Sequence, residues 1–324
     1  MTRLASVRRL LPLLSLVPLL LLCGPGTARA EPLRIVVPFP PGGAADNFAR
    51  LVGQKLTEVS GTQVVVDNRA GAGGVLGSDH VAKAAPDGNT LLIVTVGHAV
   101  NPYIFSKLPY NTAADFVPVG MVASVPSLVV TGPSVAAKTL KDLLALAKAR
   151  PGTVEFGSSG IGSTSHVGAA LIEALAGVDL LHVPYKGAAA ALQDVMGGRT
   201  AMSVDIITSS VQLVRSGKLT ALATTGPRRS PLLPEVPTVA EAGIPGYAFT
   251  AWYMLLAPAK TPPAVVEKLN AELRKVEALP DFRSRIEAVG GEVASLGTKE
   301  TAAFLDAEFQ KWAQVVKARN IKAD

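Results

Sequence analysis

Arg34-Ile35-Val36-Val37-Pro38-Phe39-Pro40-Pro41-Gly42-Gly43-Ala44-Ala45-Asp46 is a short strand that runs into a glycine turn and straight on into a helix. Ile35, Val36 and Val37 are β-branched, and the prolines and glycines end the run. Phe48, Leu51, Val52, Leu56 and Val59 then recur at helical spacing. The turn carries no lysine, arginine or histidine, so its polar content is backbone N–H at a helix start. Such donors lack partners within the helix and carry partial positive charge, which suits a carboxylate or a phosphate. Pro41, Gly42, Gly43, Ala44, Ala45 and Asp46 are therefore the first candidate ligand-binding residues. Asp46 reads two ways, as a group that helps hold the ligand or as a first-turn acid favoured by the helix dipole.

The same strand-then-helix pattern repeats along the chain. Strands are expected at 33–37, 63–66, 91–96, 117–123, 128–131, 154–156, 180–184, 201–204, 219–224 and 252–257. Helices are expected at 45–60, 75–85, 140–150, 164–177, 188–197, 209–216, 264–279 and 299–319. This succession predicts an α/β fold, with parallel or mixed sheets flanked by helices on both faces. The aromatic positions Phe304, Phe309 and Trp312 of the last helix share a helical stripe with Leu305 and Val316, which reads as core. No linker of low complexity is present, so the domains are expected to be joined by strands. Their boundaries are placed near 131–134 and 248–257.

The start of the chain reads as a secretory signal peptide, residues 1–30. Arg3, Arg8 and Arg9 precede a leucine-rich run, and Ala28-Arg29-Ala30 is a small-x-small cleavage site. The run falls short of the roughly 20 residues of a spanning helix, and Pro12 and Pro18 interrupt it. Arg8-Arg9 fits a twin-arginine export signal only in part, so the ordinary secretory route is favoured and the twin-arginine route stays open. Cys23 is the single cysteine; cleavage after Ala30 leaves a mature chain without disulfides. Four of the arginines behind the net charge of +6 lie in the leader, which leaves the mature chain near +2. A nucleic-acid partner, which calls for a concentrated basic face, is not expected. The compartment expected for the mature protein is the periplasm.

In open α/β sheets ligands sit beyond the carboxyl ends of the strands, which draws attention to the residues after each strand. Thr95 follows the third. Gly157-Ser158-Ser159-Gly160-Ile161-Gly162-Ser163-Thr164-Ser165-His166 follows the strand at 154–156 and opens a helix. Its glycines permit close backbone approach, and its hydroxyls are neutral donors. Ser158, Ser159, Gly160, Thr164 and His166 are the candidates from this second loop, although a serine-rich helix cap needs no ligand. Lys186 offers a cation or is simply exposed; Asp205 ends a strand where it can accept from a ligand amine or hydroxyl. Gly71-Ala72-Gly73-Gly74-Val75-Leu76-Gly77 misses the dinucleotide spacing by one residue and reads as a tight bend.

Catalysis is poorly supported. Ser159 and His166 lie across one loop with no Gly-x-Ser-x-Gly elbow and no assignable acid. His80, His98, His166 and His182 lack metal-ligand spacing, and there is no P-loop, so no metal, no cofactor and no enzyme activity are expected. A cleft hydrolase is the alternative from another class.

Taken in order, the motifs resemble those of the Bug-type extracytoplasmic solute receptors of tripartite tricarboxylate transporters. Val37-Pro38-Phe39-Pro40-Pro41-Gly42-Gly43 with Asp46 is followed by Asp67-Asn68-Arg69-Ala70-Gly71-Ala72-Gly73-Gly74, Pro86-Asp87-Gly88-Asn89-Thr90-Leu91 and Asn101-Pro102. Asp115-Phe116-Val117-Pro118-Val119, Ser159-Gly160-Ile161-Gly162-Ser163-Thr164, His182-Val183-Pro184-Tyr185-Lys186-Gly187 and Leu233-Pro234-Glu235-Val236-Pro237-Thr238 complete the series. The resemblance implies a two-lobed, class II periplasmic-binding-protein-like fold, with 31–132 plus 250–324 as one lobe and 133–249 as the other. It further implies that the loops at 41–46 and 158–166 hold the carboxylate of a small organic acid or amino-acid-like solute. A monomer would then close on the solute and present it to the permease subunits of the transporter. Some relatives lack an obvious transporter, so a solute sensor for a signalling partner is a second reading.

Overall fold

The structure, a computed structural model, describes residues 31–323. The expected signal peptide, with Cys23 and Arg8-Arg9, lies outside the described residues. From Glu31 onward the chain forms one compact unit.

The opening segment alternates as the sequence implies: β1 (Leu33–Val37), α1 (Ala44–Ser60), β2 (Val64–Asn68), α2 (Val75–Ala82), β3 (Thr90–Val94). β1 lies between β2 and β3, parallel to both, so the carboxyl ends of all three strands meet at one edge. A helix that the sequence reading missed, α3 (Gly97–Ile104), starts directly after β3 and carries Pro102 inside it.

The largest departure is β4 (Phe116–Thr131), one continuous strand of 16 residues where two short strands were expected. Pro126 falls in the gap between the two expected strands, yet it still pairs with Thr250, and Pro118 sits beside a register shift. The first part of β4 pairs antiparallel with β9, down to Pro126; from Ser127 on it pairs with β7 and β8. One strand therefore serves two sheets, and it changes partners ahead of the expected boundary after residue 132.

The second sheet is built from α4 (Leu140–Ala149), β5 (Glu155–Ser158), α5 (Thr164–Ala176), β6 (Leu181–Pro184), α6 (Ala188–Met196), β7 (Met202–Ile206), α7 (Ile207–Arg215) and β8 (Thr220–Thr224). β5 runs parallel to β6 and β7, so their carboxyl ends also align. The chain returns to the first sheet through β9 (Thr250–Pro258), which inserts antiparallel between β3 and β4. The full strand order is β2-β1-β3-β9-β4-β7-β5-β6, with β8 beside β4.

Three helices finish the chain: α8 (Pro263–Glu277), α9 (Pro280–Ala288) and α10 (Thr298–Arg319). α8 and α9 each begin with proline in the first turn, the position where a missing N–H costs nothing. The expected core stripe of α10 holds for Leu305, Trp312 and Val316, which are buried; Phe304 and Phe309 pack against that core half-buried. The indole N–H groups of Trp252 and Trp312 both donate to Glu308 Oε2, at 2.7 and 2.8 Å, and so bolt β9 to α10. Arg319, at the end of α10, reaches the second half of the molecule and pairs with Glu173 at 2.7 Å and Asp179 at 2.9 Å.

Candidate functional site: two loops at the carboxyl ends of the strands

The first loop joins β1 to α1. Gly42 takes a φ of +85°, a left-handed conformation that favours glycine. Gly43 is the residue before the helix, and no side chain caps the α1 start. The Gly42 N–H is used internally and donates to Asp46 Oδ2 at 2.9 Å. Those of Gly43, Ala44, Ala45 and Asp46 have no protein acceptor among the described residues. An uncapped helix start with several donors unspent is an anion cradle made of backbone.

Asp46 stands behind this cradle, 2% exposed. Besides Gly42 its carboxylate accepts from Arg50 Nε at 3.0 Å and Asn68 Nδ2 at 2.9 Å, and it pairs with Arg50 at 3.0 Å. Burial alone pushes its carboxyl up, but the bonds from Arg50, the Gly42 N–H and Asn68 outweigh it and hold the carboxyl below the usual range. Asp46 is thus a permanent anion whose charge is met by Arg50, and it fixes the shape of the turn.

The second loop joins β5 to α5 and is organised differently. Ser158 is wholly buried; its Oγ receives the Gly160 N–H at 3.2 Å and lies 2.6 Å from His182 Nε2. The Ser159 N–H donates to Ser165 Oγ at 2.8 Å, and Ser163 Oγ donates to the Gly160 carbonyl at 2.6 Å. Ser163 also caps α5 by accepting from the His166 N–H. The Gly162 N–H donates to His166 Nδ1 at 3.1 Å. The N–H groups of Ile161, Thr164 and Ser165 are left without a protein acceptor among the described residues. The ring of His166 turns inward and stacks on that of His182, with centroids 3.8 Å apart.

The remaining candidates are scattered around these loops. Thr95 follows β3, and its buried hydroxyl has no partner among the described residues. Lys186 is exposed beyond β6 with no ion pair among the described residues. Asp205 lies within β7, one position before its end, and is 3% exposed. Burial pushes its carboxyl up to about 6, while the hydroxyls of Ser209 and Ser210 and the Ile206 N–H pull the other way.

α3 joins the two halves, and the sequence reading did not include it in the site. A methyl group on Gly162 would come within 2.5 Å of Ile104 Cδ1, and one on Gly97 within 3.7 Å of the Gly162 carbonyl. The tip of the second loop therefore rests on α3 of the first half. Between α3 and the first loop is a gap of about 10 Å³, lined by Pro38, Phe39, Gly73, Thr95, His98 and Asn101, with room for one water. The Gly97-His98 pair after a strand was the signal for this region.

Most of the chain, residues 48–321, matches the model of the tripartite tricarboxylate transporter family receptor. The chain belongs to that receptor family. It is 41% identical over 296 residues to the UPF0065 protein of the tcbD-tcbE intergenic region of Pseudomonas sp. strain P51, covering 91% of this chain and 88% of that one. Among solved structures it resembles R. palustris Rpa4515 with adipate, with a TM-score of 0.82 and 34% identity, over 90% of this chain and 98% of that one. MatC of Rhodopseudomonas palustris with bound malate gives 0.79 and 33%, over 89% and 99%. The receptor has the two-lobed fold of periplasmic binding proteins, as the resemblance implied. Its two sheet systems share β4.

Proposed function

We infer that the mature chain is a periplasmic receptor that holds a small carboxylate-bearing solute between its lobes for the permease subunits of a tripartite tricarboxylate-type transporter. The observation that carries this reading is the α1 start: uncapped, with N–H donors unspent and no cation in the turn. Such a site neutralises one carboxylate through hydrogen bonds and partial charge, and releases it without breaking an ion pair. The second loop would supply hydroxyl and N–H groups to the same solute. The solved relatives with adipate and malate support the solute class.

A receptor without catalysis is the reading the side chains favour. Ser158 and His182 are in contact, but Ser158 is wholly buried and no carboxylate orients His182 among the described residues. Burial pushes the His182 ring down to about 4, too weak for a general base near neutrality. Ser159 and His166, the other pairing, are each bonded elsewhere within the loop. We assign residues 1–30 as an export signal removed after Ala30, and the mature protein as a monomer. No described helix is long and apolar enough to cross a membrane.

The test is a thermal-shift titration of ligand-stripped protein with malate, adipate and a panel of other carboxylates and amino acids. A cognate solute at a hundred times its dissociation constant adds about 2.7 kcal/mol to stability. No stabilisation by any of them, with turnover of an ester, would replace the receptor reading by the hydrolase one.

A further inference from the structure

A cavity of about 250 Å³ lies behind the second loop, and no residue of the first loop lines it. α10 ends at Arg319, and Asn320, at φ +48°, turns the chain back so that Ile321 N–H meets the Val316 carbonyl and Ala323 N–H meets Ile104 on α3. This returning segment roofs a space over β5, β6 and α5. Phe156, Ile161, Leu180 and Ile321 give it apolar walls.

Its lining includes the donor side chains of His166, Arg319 and Lys322. The Gly162 N–H donates to His166 Nδ1, so a neutral ring carries its proton on Nε2. His166 is 7% exposed, lines the cavity, and has no partner for Nε2 among the described residues. Burial, with the neighbouring His182 adding to it, keeps the ring neutral, down to about 3. Arg319 also lines the cavity; its guanidinium is held by Glu173 and Asp179, yet its Nε–H is buried without a partner. Lys322 also lines the cavity, exposed and with no ion pair among the described residues. The one acid in the lining, Glu173, is engaged through Oε1 by Arg319 and the Leu180 N–H.

The geometry points to a second binding site in this cavity, for a small organic anion with an apolar body, held by His166, Arg319 and Lys322. Its occupancy acts on the solute loop, because the ring that contacts the anion through Nε2 holds the Gly162 N–H through Nδ1. The two sites are therefore coupled, each ligand altering the affinity of the other by the same factor.

Benzoate is the probe. In the mature chain carrying Gly43→Pro, which removes a first-loop donor, benzoate shifts the His166 ring signals in nitrogen–proton NMR with a stoichiometry of one. Lys322→Glu weakens that binding at least tenfold, and Leu180→Trp fills the space and abolishes it. Neither change alters the wild-type affinity of the first-loop site for its carboxylate by more than the coupling factor. His166 signals that stay unmoved, or a benzoate affinity indifferent to both cavity variants, would overturn the second site. Failure of the receptor reading shows instead in the malate and adipate titration of the wild-type chain, so the two are told apart.

Discussion

The two loops occupy equivalent places, each after a parallel strand and before a helix, but they are stabilised by opposite means. The β1–α1 loop keeps its turn through a buried ion, Asp46, and leaves its helix start open. The β5–α5 loop is neutral: Ser163 caps the helix, and serine hydroxyls accept from the N–H groups of Ser159, Gly160 and His166. The difference teaches that donor supply and loop rigidity are separate quantities. The first loop offers more free backbone donors, because its rigidity comes from a side chain placed behind them.

The sharpest way to break this contrast is Gly43→Pro. Gly43 has φ −78°, and no atom lies closer than 3.8 Å to the place a Cβ would take, so a proline ring suits the backbone there. Solute affinity should fall about tenfold to a hundredfold, the worth of one hydrogen bond to a charged group, with the melting temperature nearly unchanged; calorimetric titration checks the first and a thermal scan the second. A smaller effect separates the two stabilising devices. Asp46→Ala should cost about 2 kcal/mol of stability, since it strands several donors, whereas Ser163→Ala should cost about 1 kcal/mol, as cap losses do. Urea unfolding of the two variants decides whether the ionic loop is the stiffer one.

Acid titration sharpens the contrast further. Burial pushes His166 and His182 down to about 3 and about 4 from 6.5, so the unfolded chain binds protons that the native one does not. Their contribution is therefore complete above pH 6.5 and declines as pH falls toward 4. Asp46 has a depressed carboxyl, so its contribution persists down to 3.8 and is lost only as pH falls below that value. Asp205 and Glu277, whose carboxyls burial raises to about 6 and about 7, favour the native state as pH falls and work against the histidines over the same range, so variant and wild type are compared at each pH. Relative to wild type, unfolding midpoints of His182→Gln should fall less between pH 6.5 and pH 4, with the His166 share remaining, and equally below 3.8.

Both loops were legible because glycine, serine and strand-ending positions carry local information. The inward aim of Ser158 and His166 was not, since it depends on His182, which lies on a neighbouring strand far along the chain. Likewise Asp46 as a first-turn acid was readable, but its bond to Asn68 at the end of β2 required the parallel pairing. α3 escaped notice because it is short and carries Gly97 and Pro102, residues of low helix propensity, although the segment is helical. The single long β4 was hidden by Pro126, which lies where the strand changes partner rather than where it ends.

The placement of β9 has a consequence for how the molecule comes into being. This strand fills the gap between β3 and β4, yet it is made after all of β5 to β8. The amino-terminal sheet must wait with two open edges until the chain beyond Thr250 has been delivered. Pairings of such long sequence separation slow folding. For the exported chain proposed above, that delay would keep the first half from locking into native form before the last quarter is available.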